Sequence, residues 1–366
     1  MDDRLYWLGW QLLMPGVGKR VWEIINYFNS PKAAWQAKER ELLEVPGMTR
    51  VMAEGLISRK SKISFNKELE RLQQHQVEFI TYNDKSYPEM LKEIFDPPPV
   101  LFVRGSLDKL GYNAALVGSR KATAYGRTVA QRFSGELAEH NVAVISGMAR
   151  GIDSAAHRGA LKDDGYTVAV LGCGLDVVYP PENRKLMDEI IEKGAIITEF
   201  PLGSQPEPWH FPSRNRLISG ISQVVVVVEG AQKSGAQITA DLALEQGREV
   251  MAVPGSIYSK MSIGPLKLLK QGARPATSTA DILEELGLES ENLFKENADN
   301  SQPKYKLSKT EKLVYDVLKA DPLHVEDMIQ RLESPSQEIM AALMFLEVKG
   351  LIKKMPGKMY AAVKSG

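Results

Sequence analysis

The chain has 366 residues, in which 46 lysines and arginines balance 46 aspartates and glutamates, and 43% of the residues are hydrophobic. This length fits two or three domains, each with a core of its own. Because the net charge is zero, a globally basic surface cannot be used as an argument for a nucleic-acid partner. Any such partner has to be argued from local sites. A single cysteine, Cys173, excludes an intrachain disulfide and a zinc site built on cysteines.

No apolar stretch approaches the roughly 18 residues of a bilayer-spanning helix, and the first residues contain no basic segment leading into an apolar one. We therefore expect a cytoplasmic protein without a membrane partner. The five histidines show no metal-ligand spacing, so neither a metal nor another cofactor is predicted.

Residues 1–80 have the apolar spacing of helices and are predicted to form an N-terminal helical domain. Two Pro-Gly pairs, Pro15-Gly16 and Pro46-Gly47, each join two apolar helical runs, as in a tandem helix-hairpin-helix (SAM-like) unit. The glycine turn of that motif presents backbone N–H groups that can hold a DNA phosphate. The pattern equally fits a small helical module that packs on the next domain, and both interpretations stay open here.

Residues 81–283 are predicted to form an extended Rossmann-like domain, in which short, wholly apolar strands alternate with amphipathic helices. After a first short strand at 100–103, the predicted strands are 114–117, 142–145, 167–171, 195–198, 224–228 and 250–253. The helices between them are predicted at 126–140, 151–163, 181–193, 215–220 and 237–246. Strands that are apolar on both sides indicate a doubly wound α/β fold, whose parallel sheet is covered on both faces. Such sheets place their sites at the carboxyl ends of the strands.

Residues 284–306 are acidic, polar and aperiodic, and are predicted to be a linker. Residues 307–366 are predicted to form a C-terminal winged helix, because a capping box at Ser308 and Glu311 opens the first of three helices and a hairpin follows them. The hairpin lysines Lys353, Lys354 and Lys358 would either contact phosphates or form a solvated basic wing.

Glycine and arginine loops follow the predicted strands of the central domain. Glycines let backbone N–H groups approach an anion, and arginine supplies planar bidentate donors. Because these loops meet at one edge of the sheet, they indicate a site for a polyanion or a nucleotide. The loop residues concerned are Gly118-Ser119-Arg120-Lys121, Gly147, Arg150-Gly151, Arg214-Asn215-Arg216 and Ser234-Gly235.

A nucleotide-processing enzyme is the alternative. Gly172 and Gly174 could begin a dinucleotide-binding fingerprint, but the third glycine that it needs at position 177 is Val177. The sequence also contains no P-loop. A mononucleotide site remains open, with Asp153, Glu199 or Glu229 as a ribose ligand or a base. Asp153 and His157 lie four apart on one predicted helix, which capping and local hydrogen bonds explain as well as catalysis does. No nucleophile with an adjacent base can be identified, so no catalytic residue is predicted.

The same loops carry a family resemblance. The sequence Leu116–Thr123 resembles the DNA-processing protein A (DprA, or Smf) family, as do the residues from Ser146 to His157. The similarity continues, in family order, through Ala169–Asp176, Tyr179-Pro180, Phe211–Arg216, Val228-Glu229, Ser234-Gly235, Thr239-Ala240 and Pro254-Gly255.

This resemblance implies a cytoplasmic, non-enzymatic protein of natural transformation. Such a protein binds incoming single-stranded DNA, dimerises, and loads the RecA recombinase while the single-strand-binding protein is displaced. The rival in this fold class, a phosphoribohydrolase-like enzyme, would contain a Pro-Gly-Gly-x-Gly-Thr stretch that this sequence lacks.

The expected DNA site combines phosphate anchors with a face for base stacking. The family's DNA-contacting arginine falls on Arg120, and Phe211, close to Trp209, is the stacking candidate. Arg214 and Arg216 have an alternative role as ion-pair partners of Glu199 and Glu229, which would leave one of the two arginines for DNA. The predicted DNA-binding residues are Gly118, Ser119, Arg120, Lys121, Gly147, Arg150, Gly151, Arg184, Lys185, Phe211, Arg214, Asn215, Arg216, Ser234 and Gly235.

One position departs from the family pattern. Leu266 stands where the family usually has asparagine, in a segment close to the family's self-association surface. An apolar helix containing Leu266 and Leu269 would strengthen a homodimer, and a helix packed on the sheet is the plain alternative.

Overall fold

A computed structural model describes residues 3–162, 164–232, 234–288, 307–320, 323–332, 335–349, 351–355 and 359–362. The chain divides into two compact units, Met1–Glu289 and Ser290–Gly366. Among the described residues, no helix is long and apolar enough to cross a membrane. The predicted boundaries at 80/81 and 283/284 stay predictions.

The N-terminal segment of the first unit is helical. Gly16 and Gly47 adopt φ of 74° and 70°, a left-handed conformation that lets the Pro-Gly turns reverse the chain at little cost. The Thr49 hydroxyl caps the helix after the second turn by accepting a hydrogen bond from the Met52 N–H at 3.3 Å. The six helices are α1 Asp3–Leu13, α2 Gly18–Phe28, α3 Pro31–Gln36, α4 Glu39–Leu42, α5 Arg50–Lys60 and α6 Phe65–Gln74.

A nine-stranded sheet forms the centre of the first unit. Its strands are β1 Glu78–Thr81, β2 Val100–Gly105, β3 Asn113–Gly118, β4 Ala143–Ser146, β5 Thr167–Val170, β6 Ala195–Thr198, β7 Val224–Glu229, β8 Glu249–Ala252 and β9 Arg274–Pro275. The spatial order is β1-β2-β6-β5-β4-β3-β7-β8-β9, and the strands from β6 to β9 run parallel. This arrangement confirms the predicted doubly wound sheet. The strand β1 and its antiparallel pairing with β2 were not predicted.

Helices cover the sheet: α7 Glu89–Lys92, α8 Ala124–Glu139, α9 Ile152–Lys162, α10 Arg184–Lys193, α11 His210–Ile221, α12 Gly235–Glu245, α13 Ile263–Lys270 and α14 Thr279–Glu285. The prediction for α11 was wrong at its start, because the helix begins at His210 rather than Asn215. Proline is tolerated in the first helical turn, where its missing N–H has no intrahelical partner to lose. Pro212 therefore lies inside the helix, although its sequence suggested a loop.

The hydrophobic core lies on the two faces of the sheet. On one face, Trp7 and Leu8 of α1 belong to the same buried cluster as Phe102 and Ile196 of the sheet. On the other face, side chains of α11 and α12 join strand residues such as Val225. The N-terminal helices thus form a layer that covers one face of the sheet. This agrees with the interpretation of residues 1–80 as a helical module that packs on the next domain.

The second unit has the winged-helix arrangement. It contains α15 Lys309–Ala320, β10 Leu323–His324, α16 Val325–Arg331, α17 Ser336–Val348, β11 Ile352–Met355 and β12 Met359–Ala362, with strand order β10-β12-β11. The predicted capping box is confirmed, since the Ser308 N–H donates to Glu311 Oε2 at 2.7 Å and the Glu311 N–H donates to Ser308 Oγ at 3.2 Å.

The end of the first unit reaches into the predicted linker. Glu284 and Glu285 belong to α14 and form ion pairs with Arg274. Residues 289–306 of the predicted linker, and Lys358 of the hairpin, lie outside the described residues.

Candidate nucleic-acid interface

Strand β3 lies between β4, the next strand along the chain, and β7. The order of the strands therefore reverses at β3, and a cleft opens at this switch point. The loops after β3 and β7 separate here, as expected at the carboxyl ends of such strands. The cleft has a volume of about 530 Å³. Among the residues that line it are the predicted site residues Gly118, Ser119, Arg120, Phe211, Arg214, Asn215, Ser234 and Gly235.

Arg120 and two aromatic rings form a stack on the wall of the cleft. The Arg120 guanidinium carbon lies 5.2 Å from the centroid of the Phe211 ring, whose other neighbour is Tyr179 at 5.3 Å between centroids. Arg120 is exposed and both rings are half-buried. A cation held over a ring in this way is preorganised, and it presents a charge beside a flat apolar surface.

Backbone contacts fix the loop that holds Arg120. The Ser119 N–H donates to the Glu229 carbonyl at 2.8 Å, and the Ser119 carbonyl accepts from the Ile152 N–H at 3.2 Å. Gly151 has a φ of 80° and approaches this loop so closely that an added Cβ would lie 2.1 Å from the Ser119 oxygen. The loops after β3 and β4 are therefore packed backbone to backbone, and only glycine fits at position 151.

Arg214 and Asp153 form the floor of the cleft. Arg214 is 4% exposed and its Nη1 donates to the Gly147 carbonyl at 3.0 Å, while its Nε has no hydrogen-bond partner among the described residues. Burial raises the pKa of Asp153 to about 6, opposed by the positive charge of Arg214. Burial also lowers the pKa of Arg214 to about 10, opposed by the charge of Asp153.

Arg216 points away from the cleft into a buried ion pair. Its Nη2 donates to Glu199 Oε2 at 2.7 Å and its Nη1 donates to Oε1, while its Nε donates to the Asp96 carbonyl at 3.0 Å. Glu199 is 0% and Arg216 is 8% exposed. Of the two arginines, Arg216 thus has the ion-pair role with Glu199 that the sequence left open, and Arg214 faces the cleft.

Glu229 has a different partner from the arginines proposed for it. Its carboxylate accepts hydrogen bonds from the Thr123 N–H at 2.8 Å and from the Thr123 hydroxyl at 2.6 Å. Thr123 is also the N-cap of α8. Glu229 therefore supports the start of the helix that follows the Arg120 loop.

The remaining predicted cations lie beyond the cleft. Arg150 lines a recess of about 20 Å³ beside it, together with Gly147, and pairs with Glu182 through its Nε and through its Nη2 at 3.1 Å. Arg184 and Lys185 are exposed at the start of α10, shortly after Glu182. Lys121 is exposed next to Arg120. Part of this positive charge is neutralised, since Glu182 pairs with Arg150 and Glu189 lies 3.9 Å from the Lys185 Nζ.

His157 does not share the cleft with Asp153. It is fully buried, and its Nδ1 lies 2.7 Å from the Thr167 hydroxyl, which itself donates to the Val144 carbonyl. Burial lowers the pKa of His157 to about 3. Burial and the contact with Thr167 explain the position of a neutral histidine here without a catalytic role.

Tyr179 is a cleft residue that sequence reasoning did not place in the site. The Tyr179-Pro180 pair was recognised in a strand-end loop and in the family resemblance, but Tyr179 was not among the predicted DNA-binding residues. An aromatic residue in a strand-end loop near a predicted stacking residue is the signal that would have identified it.

The first Pro-Gly turn and the start of α2 are packed against the loop that precedes β2. The Asp96 carboxylate lies so close to Gly18 that an added Cβ there would be 2.7 Å from its Oδ1, and Trp22 Nε1 donates to the Pro97 carbonyl at 2.7 Å. The start of α2 thus already holds an anion of this chain. At this turn the structure favours packing over DNA contact.

Comparisons with known proteins identify the family of the chain. Residues 78–287 match the family described as DNA recombination-mediator protein A, and residues 298–358 match the DprA winged helix domain. The chain belongs to the DprA family. Protein Smf of Synechocystis sp. is 32% identical over 98% of both chains. The family assigns the chain a role in DNA processing as a recombination mediator.

Two solved DprA structures are similar in fold. The X-ray structure of DprA from Streptococcus pneumoniae has a TM-score of 0.68 and 33% sequence identity, and covers 78% of this chain and 98% of its own. A structure of DprA from Helicobacter pylori, solved to explain that protein's single-stranded DNA binding mode, has a TM-score of 0.53 and 27% identity, covering 58% of this chain and 97% of its own.

Proposed function

We propose that this chain binds single-stranded DNA along the strand-end cleft and loads the RecA recombinase onto it during DNA uptake and natural transformation. The observation that carries the DNA site is the exposed Arg120 held over Phe211 at the mouth of a glycine-lined cleft. Single strands need phosphate anchors and stacking surfaces, and this wall supplies both. The single-stranded DNA binding of the Helicobacter pylori relative supports the same ligand.

In this proposal the cleft residues have different roles. Arg120 and Lys121 contact phosphates, and a base stacks on Phe211 and Tyr179. The buried charge of Arg214 attracts the strand from the floor of the cleft. Arg150, Arg184 and Lys185 guide the strand beyond the cleft, and Arg216 is structural.

We further propose that the protein is cytoplasmic, acts as a homodimer, displaces the single-strand-binding protein and catalyses no reaction. Leu266 and Leu269 on α13 are half-buried, and Ile263 on the same helix is 42% exposed. An apolar helix edge of this kind supports the proposed dimer contact. Release of a free base from nucleoside monophosphates would overturn the non-enzymatic assignment.

Replacing Arg120 and Lys121 by alanine should weaken binding of a labelled single-stranded oligonucleotide about tenfold or more, because two phosphate contacts are removed. The slope of log affinity against log salt should become shallower by about 0.7 for each lost contact. Fluorescence anisotropy at several salt concentrations measures both quantities.

Arg132→Ala is the matched control, because Arg132 is exposed on α8 and pairs with Glu136. It should change neither the affinity nor the salt slope. If the Arg120→Ala/Lys121→Ala variant binds like the wild type, the proposed site is wrong.

Single-strand affinity should rise as the pH falls from 7 to 5, by about tenfold at most. The pKa of Asp153 is raised to about 6, so its carboxylate is charged at pH 7 and neutral at pH 5. Protonation removes a negative charge from the floor beside Arg214 and leaves the cleft more attractive to phosphates. Asp153→Asn should bind with a flatter pH profile, measured by anisotropy at constant ionic strength. If Asp153→Asn has the same pH profile of affinity as the wild type, Asp153 does not face the bound strand.

A further inference from the structure

Two opposite charges are buried on the floor of the strand-end cleft without pairing with each other. Asp153 is 7% and Arg214 is 4% exposed, and both line the cleft. Their charges interact, yet no hydrogen bond or ion pair joins them in the part of the chain that the structure describes. A buried carboxylate and a buried guanidinium that face one cavity in this way require an explanation.

Both groups keep unused hydrogen-bonding capacity. Arg214 Nη1 donates to the Gly147 carbonyl at 3.0 Å, whereas its Nε has no partner among the described residues. The Asp153 carboxylate faces the backbone amides of Gly147 and Ala149, and the Ala149 N–H donates to its Oδ2 at 3.4 Å. A carboxylate has about four acceptor positions, so about two stay open. The floor is therefore suited to a ligand that donates to Asp153 and accepts from Arg214.

The walls of the cleft are largely apolar. The rings of Tyr179 and Phe211, 5.3 Å apart between centroids, line it together with Val117 and Ile218. The volume of about 530 Å³ lies in the range of sites that hold a small organic ligand. Apolar walls with rings and a polar floor match a nucleobase, because its faces stack and its edge forms hydrogen bonds.

A phosphate fits this floor less well than a base does. The charged residues that line the cleft, in the described part of the chain, are Arg120, Asp153 and Arg214. Arg120 is exposed over the Phe211 ring, where a phosphate can reach it from solvent. On the floor, by contrast, the Asp153 carboxylate opposes any second negative charge. An uncharged base avoids this repulsion and still uses both buried groups.

Guanine matches the floor better than the other three bases. Its Watson–Crick edge has two adjacent donors, N1–H and N2–H, next to the acceptor O6. A carboxylate accepts two parallel hydrogen bonds from such a donor pair, and arginine donates to O6. Adenine, cytosine and thymine each have one donor group with an acceptor beside it on this edge. The carboxylate would therefore meet one donor and one repelling lone pair in any of these bases.

We propose that the cleft takes up one base of the strand and that this base is guanine in preference to the other three. Asp153 accepts from the guanine N1–H and N2–H groups, Arg214 donates to O6, and the base stacks on the wall that contains Phe211 and Tyr179. Arg120 stays available for a phosphate. This inference rests on the proposed single-strand binding, and a free guanine nucleotide presents the same edge, so the experiment includes both ligands.

The test uses the full chain and labelled thymidine oligonucleotides of about 12 nucleotides that differ in one central base. The strand with guanine should bind about tenfold more tightly than the strands with adenine, cytosine or thymine, measured by fluorescence anisotropy at constant pH and salt. Hypoxanthine lacks the N2 amino group, so a strand with this base should bind about threefold more weakly than the guanine strand. A single guanine in each strand avoids four-stranded guanine structures.

Asp153→Asn should lower the preference for guanine to about twofold or less, because asparagine has one acceptor oxygen in place of two and no charge. Asp164→Asn is the matched control. Asp164 follows the other end of α9, its side chain is 88% exposed, and it pairs with Lys193. This control should keep the full preference. Circular dichroism verifies that both variants are folded, and the hypoxanthine strand tests the same contact in the wild type.

Titration with free deoxynucleoside monophosphates separates the base site from the strand function. The guanine nucleotide should bind more tightly than the adenine, cytosine and thymine nucleotides, measured by calorimetry, and it should displace the labelled strand. A chain that binds the guanine nucleotide but no oligonucleotide would keep the base site and refute the proposed function. A chain that binds all oligonucleotides equally would keep the proposed function and refute the base site.

Three results would overturn the proposal. Equal affinity for the four strands would show that only water meets Asp153 and Arg214. A guanine preference that persists in Asp153→Asn, or that the hypoxanthine strand shares fully, would place the contact elsewhere. Tighter binding of a strand with another base would contradict the assignment of the donor pair to Asp153.

Discussion

Glu199→Gln should lower the free energy of unfolding by about 3 kcal/mol, because it removes the fully buried counter-ion of Arg216 and leaves this guanidinium with the more exposed Asp96 carboxylate, 3.4 Å from its Nε. Both partners are almost completely removed from water, and Arg216 donates two hydrogen bonds to this one carboxylate. Glutamine has nearly the same shape but no charge, so packing is preserved and the change isolates the electrostatic contribution. Chemical denaturation followed by circular dichroism measures the effect.

An exposed ion pair provides the comparison for Glu199→Gln. Arg50 and Glu54 pair on α5 with side chains that are 79% and 53% exposed, and Glu54→Gln should cost less than about 0.5 kcal/mol. Replacing both Glu199 and Arg216 by methionine should cost less than the sum of the two single replacements, because neither member of the buried pair is then left without the other. Equal losses for Glu199→Gln and Glu54→Gln would contradict the buried-pair interpretation.

The contrast between Arg214 and Arg216 shows where sequence reasoning stopped. Both were assigned to the DNA site, and the sequence could not decide which of them pairs with a carboxylate. Residues two apart on a helix point roughly 200° apart, so one faces the cleft when the other faces Glu199. The prediction missed this because it treated both arginines as part of a strand-end loop, although α11 already begins at His210.

The sheet was easier to predict than the site. Strands such as Val224–Glu229 are buried along their whole length, and the sequence records this as an unbroken apolar run. The edge strand β1 was missed because it is short and only its last two residues are buried. The local pattern of apolar residues contains little information about an edge strand of this kind.

Contacts between loops that are distant in the chain could not be predicted from the sequence either. Arg120 and Phe211 were each proposed from their own motif, but their stacking depends on how the loop after β3 meets the start of α11. Likewise, the Asp96 carboxylate at the first Pro-Gly turn comes from a loop far along the chain. The turn's own sequence therefore could not distinguish DNA contact from packing.

Gly151→Ala should destabilise the protein by about 2–5 kcal/mol and weaken single-strand binding in whatever fraction stays folded. Two costs add here. A φ of 80° is unfavourable for alanine, and the new Cβ would lie 2.1 Å from the Ser119 carbonyl oxygen and 3.0 Å from the Arg120 carbonyl carbon. These are backbone atoms, so the strain can be relieved only by moving the loop that holds Arg120 over Phe211. Thermal unfolding and oligonucleotide anisotropy measure the two effects.

Gly247→Ala separates the two costs. Gly247 has a φ of 67°, and within the described residues an added Cβ there would meet no atom within 4 Å. It should therefore show the conformational cost alone, about 1–2 kcal/mol, with unchanged DNA affinity. If Gly151→Ala matches Gly247→Ala in both stability and affinity, the loops after β3 and β4 can separate without disturbing Arg120. The preorganisation argued for the cleft would then be wrong, because it depends on this backbone contact.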